Sequence, residues 1–200
     1  MQDFFIFERN IQMSNKPLLY FKNHIEWRNW LHENHETHTV VELVFYKVTS
    51  EFESMRWEEA VKVAICYGWI DSTVRKLDDD RRKQTFTPRK DKSVWSKVNK
   101  DYIEDLMAND LMHEAGLKKI EIAKQNGSWE SLDAVENLEI PEDLQIEFNK
   151  NKIAFENYSN FSKSYKKSYL YWLNQAKKEE TRANRINEII SLCKKNIKSR

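Results

Sequence analysis

The sequence predicts an α+β fold that is mostly helical: a small antiparallel sheet of about three strands packed by helices, followed by a C-terminal helical module. Three observations lead there. Only 3 glycines and 3 prolines occur among 200 residues, where glycine alone usually supplies about 7% of a soluble chain, so a turn-dense all-β sandwich is disfavoured. The β-branched and aromatic residues of one early segment, 39–48, gather as strands require. After Pro141 the apolar residues recur at helical spacing to the end of the chain.

Residues 23–34, with Ile25, Trp27, Trp30 and Leu31, form an imperfect short helix. Residues 39–48 are the best strand, with Val41, Leu43 and Phe45 on one face. The helix over 56–67 is the cleanest, because Trp57, Ala60, Val61, Ala64 and Ile65 obey the i, i+3, i+4, i+7, i+8 rule. Gly68 sits where a left-handed helix stop belongs. Two weaker strands, about 70–77 and 83–88, join through Asp78-Asp79-Asp80, a solvated turn. Ser93 is positioned to cap a helix with Val94, Val98, Tyr102 and Leu106 along one side. Another helix covers about 112–126 and stops at Asn126-Gly127. The last apolar series, Tyr169 to Ile197, is interrupted by Glu179. It reads as two helices turning near Lys178–Thr181 rather than one coiled-coil helix. The implied domains are an N-terminal extension over 1–16 (residues 1–12 preceding an alternative start at Met13), an α+β domain over 17–138 and a helical domain over 139–200.

Isolated glycines exclude a glycine-rich phosphate loop. MQDFFIFERNIQ holds too short an apolar run for a secretory signal, no stretch is long enough to span a membrane, and Cys66 and Cys193 lie in apolar helical patterns. A reduced, cytoplasmic setting with two packed thiols is the expectation. His32, His35 and His38 recur every three residues and would walk around a helix rather than converge on one ion, so no metal and no cofactor are expected.

A formal charge of +1 conceals four blocks: net −4 over 1–74, +6 over 75–100, −9 over 101–162 and +8 over 163–200. Such blocks either pair internally or present separate faces. The near-neutral whole and the scarcity of alternating exposed rings argue against nucleic acid as a partner. In the first basic block, Arg89, Lys90 and Ser93 precede a helix start, whose free N–H groups favour an anion. Trp95 offers a stacking wall there, and Asn99 follows one turn on. In the second block, Lys177, Thr181 and Arg185 fall on one helical face beside Arg182. An anionic small molecule or an acidic protein surface is the partner these residues would suit. Asp71, at a helix–strand junction, is the alternative: a general base with Arg89 and Arg182 as electrostatic stabilisers. A third reading lets the acidic 101–162 segment bind a cationic peptide.

Several motifs occur in order along about 17–198. They are Trp30-Leu31 with Asn34-His35, Ala60 with Cys66-Tyr67-Gly68-Trp69-Ile70-Asp71, Phe86-Thr87-Pro88-Arg89, Ser93-Val94-Trp95-Ser96 with Asn99, and Ala115-Gly116-Leu117. Downstream come Ala123-Lys124, Trp129, Ile140-Pro141, Trp172, Ala176-Lys177, Thr181-Arg182 and Arg185-Ile186. Together they resemble the YdeI/OmpD-associated family of bacteriocin-protection proteins. The resemblance implies a C-terminal helical module over about 139–198, a link to tolerance of bacteriocins and cationic antimicrobial peptides, and an outer-membrane porin association by name. It implies no enzymatic activity. Glu179 stands where relatives often carry a proline before the Thr-Arg pair; that proline would suit a helical first turn.

Overall fold

Thirteen regular elements follow from the local patterns in the computed structural model, which describes residues 16–199. Within those residues, one compact unit holds 16–90 and 102–121, and a second holds 91–101 and 122–199.

The first unit begins with β1 (Leu18–Tyr20) and α1 (His24–Asn34). Asn23 caps α1, its carboxamide oxygen accepting from the Ile25 and Glu26 amides at 3.0 Å each. β2 (Val41–Tyr46) follows, then α2 (Trp57–Cys66), β3 (Trp69–Lys76) and β4 (Arg81–Pro88). The sheet order is β1-β2-β4-β3. Three strands are antiparallel, as the sequence predicts; β1 adds a fourth, pairing parallel to β2 with Leu19 opposite Leu43. Three residues cannot show a readable alternation, so nothing in the sequence marked β1.

Gly68 ends α2 at φ +72°, and a Cβ there would also lie 3.0 Å from the Ala115 carbonyl oxygen. The acidic run makes the β3–β4 turn because the Asp78 carboxylate accepts from the Asp80 and Arg81 amides and from Arg81 Nε, the last at 2.7 Å. Cross-strand register defines rows on the face that α1 and α2 cover. Val41, Phe86 and Asp71 form one row, Leu43, Gln84 and Val74 the next, and Phe45, Arg82 and Lys76 the last. Trp27 of α1, fully buried, meets Phe86 edge-on with ring centroids 5.8 Å apart.

The second unit contains the approach to α3 (Lys97–Ala108), and α3 passes into the first unit after Asp101. Here the structure departs from the expected cap. The helix starts after Ser96, whose hydroxyl accepts from the Asn99 amide at 3.3 Å, not after Ser93. The reason is Trp95: it is buried against Trp129, ring centroids 5.4 Å apart, and that packing holds residues 93–96 out of helical geometry. Val98 is consequently exposed, and Ile103 and Leu106 supply the buried side of α3.

α4 (Glu114–Gln125) returns the chain to the second unit, and Gly127 at φ +77° follows it. α5 (Asp133–Glu136), α6 (Glu142–Lys150), α7 (Lys152–Ser159), α8 (Lys163–Asn174) and α9 (Glu179–Lys194) complete the fold. The break before α9 confirms two helices: Lys178 is extended, and Glu179, polar in the apolar seam, occupies the first helical position. Their core gathers Leu144, Phe148, Ala154, Tyr158, Tyr169, Leu173, Ile189 and Cys193. Both cysteines are free and buried, and burial pushes the Cys193 thiol up to about 12 and the Cys66 thiol above its ordinary value, so neither is a ready nucleophile. Among the described residues no helix is long and apolar enough to cross a membrane.

Candidate functional site

The last sheet row, Phe45–Arg82–Lys76, opens into a cleft of about 400 Å³ in the first unit. Its wall is the start of α2, where Arg56 precedes the helix and Trp57 is its first residue. The Arg56 amide donates to Glu59 Oε2 at 2.7 Å, which closes that turn. Trp57 is 38% exposed. Its indole edge is fixed, because Nε1 donates to Asp71 Oδ2 at 3.1 Å, and Gln84 Nε2 donates to the same oxygen. A ring with a tethered edge and an open face is a preorganised surface.

Positive charge shares the cleft with this ring. Lys47, Arg56, Lys76, Arg81 and Arg82 line the cleft, and Asp78 is the one acid among its lining residues. Asp78 is already committed: its ion pair with Arg81 holds the carboxyl below the usual range, and Lys76 pairs with Asp79 at 2.5 Å. Arg56, Lys47 and Arg82 form no ion pair among the described residues. Arg82 instead lies 5.7 Å from the Phe45 ring centroid, and Arg81 lies 5.9 Å from that of Tyr46. The arrangement can receive a net negative group beside flat apolar surface.

The residues singled out from the sequence take other positions. Arg89 is 2% exposed, and burial pushes its guanidinium down to about 10 despite the opposing charge of Asp71. Its amide donates to the Gly68 carbonyl at 2.8 Å. Lys90 is exposed in the same unit. Ser93 and Asn99 are half-buried in the second unit, and Trp95 is core rather than a stacking wall. On α9, Arg182 grips the Asp143 carboxylate of α6 through Nε and, at 2.9 Å, through Nη2, which lowers the Asp143 pKa. Arg185 donates to the Trp172 carbonyl and stacks 5.0 Å from its ring. Thr181 is half-buried and Lys177 exposed. Much of the second unit's charge pairs internally, as in Lys100–Asp133 and Lys167–Glu136.

Asp71 is therefore an anchor for Trp57 and Gln84. The sequence pointed to Asp71 but not to Arg56, Trp57 or Arg82. The available signal was the Arg81-Arg82-Lys83 run; the strand register that sets Arg82 beside Phe45 and Lys76 was not readable.

A second cluster forms where the α3–α4 connection meets α1. His113 lies 5.0 Å from His35 and 5.8 Å from His32 between ring centroids, and stacks on Tyr67 at 4.7 Å. His38 turns away to Trp30. Among the described residues, no three His, Cys, Asp or Glu side chains are arranged to hold a metal. Burial, then the neighbouring His35 and His32, lower the His113 pKa from 6.5. In addition the Ala115 amide donates to His113 Nδ1 at 3.2 Å, a bond that requires the unprotonated nitrogen. The unfolded chain binds this proton more readily, so the contribution is intact above pH 6.5 and declines as pH falls through the folded value. The urea midpoint is expected to drop between about pH 7.5 and about pH 5.5. In His113→Asn, which keeps an acceptor but cannot titrate, the drop should be smaller; an equal drop would remove His113 from the account.

The comparisons divide the chain. Residues 19–119 match the model of a family described as a domain of unknown function, DUF8412. Residues 137–196 match that described as bacteriocin-protection, YdeI or OmpD-associated. The motifs before residue 119, among them Gly68-Trp69-Ile70-Asp71, thus fall under the first model and not, as their resemblance implies, under the second. No curated protein and no solved structure matches the chain. The chain belongs to the DUF8412 family through its N-terminal half, and residues 137–196 are similar to the YdeI/OmpD-associated family.

Proposed function

We propose that this is a non-enzymatic, cytoplasmic binding protein that holds an anionic ligand in the basic cleft between the last sheet row and the start of α2. The observation that carries the reading is the concentration of Arg56, Arg82 and Lys47 around a half-exposed, tethered Trp57, with the cleft's one acid already bonded to Arg81. These cations form no ion pair among the described residues; clustering like charges is costly through mutual repulsion, and a bound anion relieves it. The description of the family matched by residues 137–196, bacteriocin-protection, YdeI or OmpD-associated, supports a role in bacteriocin protection, with an envelope link suggested by the same wording.

The test is thermal unfolding with sulfate, phosphate and pyrophosphate at fixed ionic strength. At concentrations well above the dissociation constant, the wild type should gain about 2 °C or more. Arg56→Ala/Arg82→Ala should gain nothing, while Arg185→Ala keeps the gain. If instead Lys177→Ala or Arg185→Ala removes the gain and the cleft variant keeps it, the anion sits on the α9 stripe and the cleft assignment is wrong. A protein unmoved by every anion would sink the reading.

A further inference from the structure

The cleft's dimensions and walls say more about the ligand than its charge does. A bare phosphate would leave much of about 400 Å³ unfilled, whereas small organic ligands occupy pockets of roughly 300–1,000 Å³. The cations come from more than one wall. Arg56 stands at the α2 end beside Trp57, and the Arg82 guanidinium lies 5.7 Å from the Phe45 ring centroid on the sheet. The Trp57 indole is 38% exposed and cannot swing freely, because Asp71 holds its Nε1 at 3.1 Å. Asp71 is held in turn by Gln84. A polar relay that ties an exposed ring to the buried Gln84 has a use if the orientation of that ring's face matters. A fixed indole face and a guanidinium plane are both surfaces on which a flat unsaturated ring stacks.

Resting on the anion-binding reading above, we infer that the cleft takes a mononucleotide-class ligand. Its phosphate would lie against Arg56 and Arg82, and its planar heterocycle would stack on the open face of Trp57. No glycine-rich loop is needed for this mode, since charge comes from side chains and the ring is held by stacking rather than by edge recognition. The expected preference is therefore for the class, not for one base.

The test is isothermal titration of the full chain at fixed ionic strength with AMP, ribose 5-phosphate and inorganic phosphate as probes. AMP should bind roughly tenfold more tightly than ribose 5-phosphate, the size of one base–aromatic stack. The margin should vanish in Trp57→Ala and survive in Trp57→Phe, which keeps a ring there. A circular dichroism spectrum matching wild type confirms that each variant folds. If the three probes bind alike, the stacking inference is overturned and the anion reading stands. If none binds, both fall. A single-stranded oligonucleotide binding more tightly than AMP would overturn the mononucleotide class in favour of a nucleic-acid strand.

Discussion

Phe148→Ala should lower the unfolding free energy by about 3–5 kcal/mol, the usual cost of emptying a fully buried aromatic site. Phe148 has no exposed surface. It packs against Tyr158 and Phe155 with ring centroids 4.9 and 5.5 Å apart. It sits on α6, in the same buried cluster as Leu173 of α8 and Ile189 and Cys193 of α9. Few neighbours can collapse into the space, since those helices are also tied by the Asp143–Arg182 ion pair and by Asn157 Nδ2 donating to the Cys193 carbonyl at 2.9 Å. Phe148→Leu, which retains most of the volume, should cost clearly less. Urea unfolding followed by near-ultraviolet circular dichroism measures both. A loss below about 1 kcal/mol for the alanine variant would mean that Phe148 is not the centre of this core.

Gly116→Ala should cost about 3 kcal/mol, the upper end of ordinary overpacking, although alanine is the better helix former. The added Cβ would lie 2.3 Å from the Cys66 carbonyl oxygen and 2.7 Å from that of Ile65. Both belong to the last turn of α2, so no side chain can swing aside; one helix must move. His113 donates its amide to that same Cys66 carbonyl at 3.1 Å, which holds the two helices in place. Gly127 provides the contrast. A Cβ there meets nothing within 4 Å, but φ is +77°, so Gly127→Ala should cost only about 1 kcal/mol of backbone strain. Equal losses in the two variants would contradict close helix approach as the reason for Gly116.

These two positions show what a single sequence discloses. Phe148 was legible as one more apolar residue on a helical face, and Gly116 only as part of a motif. Periodicity identified α2, and it separated α8 from α9 through Glu179, because helical spacing is a local property. The α3 start was missed because Trp95 chose a tertiary partner, Trp129, over the helix that Ser93 could have capped.

Charge shows the same divide. The blocks were countable, but pairing decides their meaning. Arg182 is spent on Asp143 and Arg185 on the Trp172 carbonyl, whereas Arg56 and Arg82, outside the candidate motifs, face a cleft. Strand register and helix packing bring the cleft together from three separated segments, and no spacing rule reports that.

The proposed entry of an anion into this cleft can be followed through the indole Nε1–H resonances of the seven tryptophans. Trp57→Phe assigns the relevant cross-peak. On titration with phosphate in a proton–nitrogen correlation spectrum, the account predicts a progressive, saturable shift of the Trp57 indole, whose Nε1 bonds to Asp71 beside the cleft. The Trp172 indole, which stacks under Arg185 on the other basic segment, should stay in place. A saturable shift of Trp172 with Trp57 unmoved would contradict it.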